Sequence, residues 1–289
     1  MKIYPTHLPN EILSIIINEL AGPSDTEDND LKTLAACRLA SYTLCSLATP
    51  LLFSSIQLPE NRSTVHGNPP PVNIDKKAVK LNQLLTNKDI AASVRTLALE
   101  VCSNDFRNSN SSAITEILRR LPHIRDFTLE ASQPIRWERY HSYRESTPIS
   151  FCYIAKDLAL AIQDLVTSPK LTTLELSKIC DFPLTIITAC PNLQYLYLSN
   201  THFSVKSISS LQGSYLYSLW IDEDSLGSLD VCIREDVSFA EYFSRLKNLR
   251  INNKKMMFIH GWDIVLLASQ TITRLAIFND EEGTFHPGR

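Results

Sequence analysis

The residues best suited to catalysis or metal binding are seven cysteines and seven histidines, and their spacing indicates neither activity. No two cysteines have the CxxC spacing, and the motifs HExxH, GxSxG, GxGxxG and the phosphate-binding P-loop are all missing from the sequence. The cysteines and histidines also lack the intervals of zinc fingers. The sequence therefore predicts a non-enzyme without cofactor or metal. The enzyme alternative requires a polar cleft with perturbed ionisable groups, which folding alone could assemble.

Composition predicts a folded protein with a sizeable core. Of the 289 residues, 44% are hydrophobic and 20% are charged, and the net charge is -3. This weakly acidic balance argues against nucleic acid or an anionic membrane as a partner. The scattered cysteines, an amino terminus without a signal-peptide pattern and the lack of a long apolar run predict an intracellular protein, cytoplasmic or nuclear.

A six-residue pattern, apolar-x-x-apolar-x-apolar, recurs along most of the chain. Its last two apolar positions are two residues apart, which is the period of a β-strand. Most of the intervals between the later copies fall between 22 and 30 residues. The copies are FSSIQL from Phe53, VRTLAL from Val94, IRDFTL from Ile124, LTTLEL from Leu171, LQYLYL from Leu193, LYSLWI from Leu216, LKNLRI from Leu246 and ITRLAI from Ile272.

Segments with helical apolar spacing precede most of these strands. SAITEILRRLPH (112–123) and FCYIAKDLALAIQDLVTSP (151–169) are the longest, and shorter ones lie at 183–192, 237–248 and 260–270. Neither half of a helix–strand unit can bury its apolar side alone, so neighbouring units are expected to stack. The repeated pattern resembles an irregular leucine-rich repeat. The asparagine or cysteine expected after each strand is present only in some copies, as Asn200 and Cys180.

The first predicted helix, LPNEILSIIINEL at residues 8–20, is apolar over too much of its surface. Its isoleucines and leucines spread over roughly 200°, whereas a helix that packs only on its own core needs about 100°. Pro9 suits a helix entrance, and Asn10 and Glu11 suit the first turn. The extra apolar surface requires a second cover, either a partner or the remainder of the chain.

This helix, the acidic loop SDTEDND and the segment LKTLAACRLASYTLCSLATPLLFSSIQL together resemble an F-box followed by a repeat domain, in the order found in the fungal type of F-box/leucine-rich-repeat-like protein. The resemblance implies an all-α F-box-like module at 1–52 and an irregular leucine-rich-repeat-like α/β solenoid with a parallel sheet at 53–289. It also implies the function of a non-catalytic subunit of an SCF-type (Skp–cullin–F-box) ubiquitin ligase in the ubiquitin-like conjugation pathway.

In that interpretation the first helices bind a Skp-family adaptor and, through it, a cullin, while the repeat domain binds an unknown protein substrate. The adaptor-binding residues that the resemblance implies are Leu8, Pro9, Ile12, Leu13, Ile16 and Leu20. Leu34, Cys37 and Leu44 are weaker candidates, because they could belong to the core of the module. The alternative is a protein–protein interaction scaffold whose first helices only cap the solenoid.

Strand alternation predicts which side chains point away from the core. When the paired leucines of each window point inward, the intervening residues point outward and form a column across the sheet. Tyrosine, tryptophan and arginine often dominate binding energy at interfaces. The predicted substrate-binding residues are therefore Glu175, Tyr195, Tyr197, Trp220 and Arg250. The alternative is that a flap or loop covers the aromatic residues.

Two segments interrupt the pattern. Residues 59–75 contain a triple proline and are expected to form a loop that projects from the first repeat. Residues 131–150 explain the longest interval between windows and interleave aromatic and basic residues. A partner-binding loop or a solvated lid is favoured there over a single-strand nucleic-acid site, because Glu138 and Glu145 reduce the net charge.

Overall fold

The computed structural model describes residues 10–21, 28–58, 73–102, 110–132, 148–204, 215–236, 238–252 and 262–278. Within these residues the protein is mixed α/β, with eleven α-helices and one large parallel sheet. The coarse fold class predicted from the sequence is therefore confirmed.

Three helices at the amino-terminal end pack around a small core of their own. They are α1 (Asn10–Ala21), α2 (Asp28–Ala40) and α3 (Tyr42–Leu52). Ser41 separates α2 from α3, because its hydroxyl caps α3 by accepting a hydrogen bond from the Leu44 amide at 3.1 Å. Ile17, Leu34 and Ala48 are almost fully buried at the centre of the three helices.

All eight sequence windows form strands of a single sheet. In order across the sheet these strands are β1 (Ser55–Leu58), β2 (Thr96–Cys102), β3 (Asp126–Ser132), β5 (Thr173–Ser177), β8 (Tyr195–Ser199), β10 (Ser218–Asp222), β11 (Asn248–Asn252) and β12 (Arg274–Phe278). Every neighbouring pair is parallel. Chain order and spatial order are therefore the same, so each new unit adds its strand beside the previous one.

Four short strands form two separate parallel pairs next to the large sheet. In these pairs β4 (Ile149–Ser150) lies beside β6 (Ile179–Cys180), and β7 (Phe182–Pro183) lies beside β9 (Phe203–Ser204). Three described residues between the strands have left-handed backbone although they are not glycine, namely Lys178, Asp181 and Asn200 with φ of 59°, 57° and 47°. Lys178 and Asn200 directly follow β5 and β8, so the same turn is used in consecutive units.

The remaining helices supply the other half of one continuous core. They are α4 (Asn73–Leu84), α5 (Lys88–Ser93), α6 (Asn110–Arg119), α7 (Lys156–Val166), α8 (Leu184–Thr188), α9 (Glu223–Glu235), α10 (Ser238–Phe243) and α11 (Trp262–Ala268). Each contributes buried residues that pack with the inward side chains of the strands. The five predicted helical segments are confirmed, whereas α4, α5 and α9 were not predicted.

The predicted loop at 59–75 is too long at its carboxyl end, because α4 begins at Asn73. Residues 59–72, including the triple proline, lie outside the described residues. The division of the chain at residue 52 stays a prediction. Across that boundary the Arg38 guanidinium lies over the Phe53 ring at 5.4 Å, and Phe53 packs against the core of the large sheet.

Strand alternation holds in β1, β2, β3, β5 and β8. In β10 and β11 the terminal positions Ser218, Asp222 and Asn252 depart from it, because they are buried. Leu97 and Leu99 are fully buried in β2, and the intervening Ala98 is half-buried on the outer face. In β12, however, the inward residues Leu275 and Ile277 are 48% and 44% exposed. Among the described residues β12 has a neighbouring strand on one side only. Its inward residues therefore remain in contact with solvent.

Candidate binding surfaces

Helix α1 presents exposed isoleucines beside a buried one. Ile17 is 2% exposed and points into the three-helix core, whereas Ile12, Ile15 and Ile16 are 42%, 56% and 43% exposed. Leu13 is half-buried between these two groups. A short helix that exposes three isoleucines has more apolar surface in water than its own packing explains. We call Ile12, Ile15 and Ile16 the α1 surface.

The other predicted adaptor-binding residues divide into two groups. Leu8 and Pro9 lie outside the described residues, as does the side chain of Leu20. Leu34, Cys37 and Leu44, the weaker candidates, all belong to the core of the three helices. Their position in that core indicates a role in holding α1 in place and not in contacting a partner.

Sequence reasoning missed a second exposed apolar site at the junction of α2 and α3. Leu39 is 87% exposed and Tyr42 is 90% exposed. Residues this exposed near the end of a short helix have no internal packing role. The signal in the sequence is weak, because the apolar residues of α2 do not fall on one clear stripe.

The predicted outward column exists as one row of the sheet. Thr128, Glu175, Tyr197, Trp220 and Arg250 are paired in register across β3, β5, β8, β10 and β11. All five are half-buried, since each side chain covers part of its neighbours. We call the outward side of the large sheet the outer face.

Aromatic rings and one cation form a continuous stack on the outer face. The Tyr197 and Trp220 rings meet edge to face with centroids 5.1 Å apart. The Arg250 guanidinium carbon lies 4.0 Å from the Trp220 ring centroid and 4.0 Å from that of Phe278. Arg250 is thus held between two aromatic rings, and sequence reasoning missed Phe278 as its second partner.

Tyr195 lies beside this row and not within it. Its ring contacts that of Tyr217 with centroids 6.0 Å apart, and Tyr217 is 46% exposed. The predicted substrate-binding residues therefore lie on adjoining strands of one surface. Whether that surface binds a substrate stays a prediction.

The Glu175 carboxylate interacts electrostatically with Tyr197, its neighbour in the row. Thr128 donates a hydrogen bond from its hydroxyl to Glu175 Oε2 at 3.1 Å. Burial, and after it the negative charge of Glu175, raises the pKa of the Tyr197 hydroxyl above its usual value.

Strand alternation places Asp222 on the outward side of β10 with Trp220, but its side chain does not lie there. It is buried at the end of β10, where Oδ1 accepts a hydrogen bond from the Ser225 amide at 2.9 Å and caps α9. Its Oδ2 accepts a second bond from the Asn200 amide at 2.6 Å. The strand pattern fails here because the chain turns directly into a helix, and the helix needs a cap.

The asparagine that follows β8, Asn200, is half-buried, and the buried polar side chain of that turn belongs to the next residue. Thr201 is fully buried, and its hydroxyl donates to the Leu176 carbonyl at 3.1 Å. Asn200 instead takes the left-handed backbone conformation.

The insertion between β3 and β5 is described only at its ends. Residues 133–147, which include the predicted aromatic and basic cluster, lie outside the described residues. Phe151, just after the insertion, is buried against Phe182 with ring centroids 4.8 Å apart.

Ionisable groups in the described residues form no candidate metal site, since no group of three or more suitable side chains is present there. Burial raises the pKa of the Cys190 and Cys232 thiols, in Cys232 to about 11. Such thiols are protonated and inert near neutral pH. The described helices include none long and apolar enough to span a membrane.

Comparison with models of known protein families returned no match, and comparison with characterised protein sequences returned none either.

Proposed function

We propose that this protein is a substrate-receptor subunit of an SCF-type ubiquitin ligase. In this proposal α1 to α3 are an F-box that binds a Skp-family adaptor, and the outer face of the sheet binds a protein substrate. The observation that carries the proposal is the α1 surface, where Ile12 and Ile16 are more than 40% exposed beside the fully packed Ile17. An adaptor would cover the apolar area that the three-helix core leaves in contact with water.

The arrangement of the large sheet supports a leucine-rich-repeat-like solenoid as the second part. Parallel sheets in most α/β proteins are covered on both faces. Here the helices contribute to a core on one side of the sheet, and the outward residues of β2, β3, β5 and β8 whose burial is described are half-buried, as are Trp220 and Arg250. Strands added in chain order, with outward side chains that keep partial exposure among the described residues, suit a stacked repeat that binds proteins on that face.

The proposed subunit acts by positioning and not by catalysis. Binding the adaptor at one end and the substrate on the outer face keeps a substrate lysine close to the enzyme that carries ubiquitin. The ubiquitin transfer itself belongs to partner enzymes. This role needs no cofactor and fits two separate surfaces on one chain.

Co-purification with a Skp-family adaptor tests the proposal. The wild-type chain should bind, and the variant Ile12→Asp/Ile16→Asp should lose binding by at least about 100-fold, because two uncompensated charges would be buried at the contact. The matched control is Leu160→Asp/Val231→Asp, since these residues of α7 and α9 are 45% and 52% exposed. The control should bind like the wild type.

Two results would contradict the proposal. One is a folded wild-type chain that does not bind the adaptor, and the other is a double variant of the α1 surface that binds it unchanged. Circular dichroism and the melting temperature of each variant establish that the chain is folded.

The second candidate function is an interaction scaffold whose first helices only seal the β1 end of the sheet. The contact of Arg38 with Phe53 favours it, because that contact ties the helices to the core of the sheet. The scaffold predicts no adaptor binding, and it also predicts that deleting α1 to α3 destabilises the large sheet.

A further inference from the structure

Charge is segregated across the outer face. The outward positions of β2, β3 and β5 carry Glu100, Asp126 and Glu175, and those of β11 and β12 carry Arg250 and Arg274. Glu130, also outward on β3, is paired with Lys178 at 2.8 Å. The outward positions of β11 and β12 include no acidic residue within the described strands.

Aromatic side chains separate the two charged ends. Tyr197 on β8 and Trp220 on β10 lie between Glu175 on β5 and Arg250 on β11. Glu175 and Arg250 are thus three strand spacings apart, about 14 Å at ~4.8 Å for each spacing. The row therefore presents an acid, two aromatic rings and a cation in a straight line across the sheet.

The Arg250 guanidinium is held by two aromatic rings. Its central carbon lies over the Trp220 ring and over the Phe278 ring, 4.0 Å from each centroid. Among the described residues no carboxylate forms an ion pair with Arg250. A planar guanidinium held in this way directs its N–H donors at a carboxylate with little further loss of side-chain freedom.

We infer that the outer face binds an extended protein segment that carries a basic and an acidic side chain four residues apart. Side chains at i and i+4 of an extended peptide lie on the same side and are about 13 Å apart, which matches the distance from Glu175 to Arg250. An apolar side chain at i+2 would contact Tyr197 and Trp220. The inference rests on the proposed function, since it gives the chemistry of the segment that the receptor recognises.

Selection from a random peptide display library tests the inference on the full-length chain. The wild type should enrich peptides with Lys or Arg four positions from Asp or Glu, at least about tenfold over the starting library. The variant Arg250→Glu replaces the cation at one end of the row by an acid. It should instead enrich peptides that are basic at both positions.

Arg119→Glu is the control, because Arg119 is an exposed residue of the last turn of α6, in the helical layer. It makes the same charge change away from the outer face and should select the same peptides as the wild type. The inference is overturned when the wild type enriches no charge pair at this spacing, or when Arg250→Glu and the wild type select the same peptides. Adaptor co-purification through α1 is measured separately, so a failure here is distinct from a failure of the proposed function.

Discussion

Asp222 is expected to be the polar side chain whose loss most damages the sheet near Trp220. It ends β10 and begins α9, and it is 6% exposed. One carboxylate oxygen caps α9 and the other holds the Asn200 amide that follows β8. Asp222→Ala therefore breaks the start of a helix and the link between two neighbouring units at the same time.

The size of the effect follows mainly from the two hydrogen bonds to backbone amides, beside which the Ser199 hydroxyl donates a longer one to Oδ2 at 3.3 Å. Loss of a helix amino-terminal cap costs about 1 kcal/mol. Loss of a hydrogen bond to a charged group, such as the partly buried one from the Asn200 amide, costs about 1.5–3 kcal/mol. We therefore expect Asp222→Ala to lower the free energy of unfolding by about 3 kcal/mol.

Urea denaturation followed by circular dichroism measures this change. With an m value of about 3 kcal/mol per molar, the unfolding midpoint should fall by about 1 M. Hydrogen exchange should also become faster in α9 and in the turn after β8, because both lose a bond to the same carboxylate. Asp222→Asn should fall between the wild type and the alanine variant, since one carbonyl oxygen remains to accept a bond.

Asp164→Ala is the matched control, because Asp164 is an exposed residue of α7. Its loss should change the free energy of unfolding by less than about 0.5 kcal/mol. The reasoning is refuted when Asp222→Ala shifts the midpoint no more than this control. Such a result would mean that solvent or other groups replace both bonds.

Four further predictions concern packing and protonation in the described residues. Ile251→Ala should destabilise the chain by about 3 kcal/mol and Ile277→Ala by less than about 1 kcal/mol in urea denaturation, because Ile251 is 1% exposed and Ile277 is 44% exposed. Tyr242→Phe should leave stability unchanged or raise the melting temperature, since the buried Tyr242 hydroxyl has no hydrogen-bond partner among the described residues, and a lower melting temperature would contradict this. Iodoacetamide at pH 8 should modify the exposed Cys152 and leave Cys232 intact until the chain unfolds, as mass spectrometry would show. Because the pKa of Cys232 rises from 9.0 to about 11 on folding, the unfolded chain loses this proton first, so stability should fall as pH rises from 9 to 11, and Cys232→Ala should reduce that slope in urea titrations.

The strands could be predicted because each window contains two signals. An apolar pair two residues apart marks the inward side of a strand, and an apolar residue three positions earlier marks its entry. Leu171 and Leu193 are such entry residues, and both are fully buried. Because all eight windows share this pattern, the same reasoning predicted a strand for each of them.

Helix α9 was missed because the chain places two helices in one interval. The 30 residues between the windows at Leu216 and Leu246 contain both α9 and α10, whereas the repeat pattern predicted one helix before each strand. The cap at Asp222 and the apolar spacing of Leu226, Leu229 and Ile233 did carry the signal. This signal was overlooked because strand alternation also assigned Asp222 to the outward side of β10.

The outer face shows the limit of reasoning from one strand at a time. Pairing in register puts Ala276 beside Arg250, so alternation gives no reason to choose Phe278. The aromatic ring nevertheless reaches Arg250, because diagonal neighbours two residues along a strand lie within reach of long side chains. The order of charges from Glu175 to Arg250 becomes spatial information only once the strands are known to lie in chain order. Inward residues are fixed by the core, whereas outward residues are not, so the composition of the outer face can differ from one strand to the next without loss of stability.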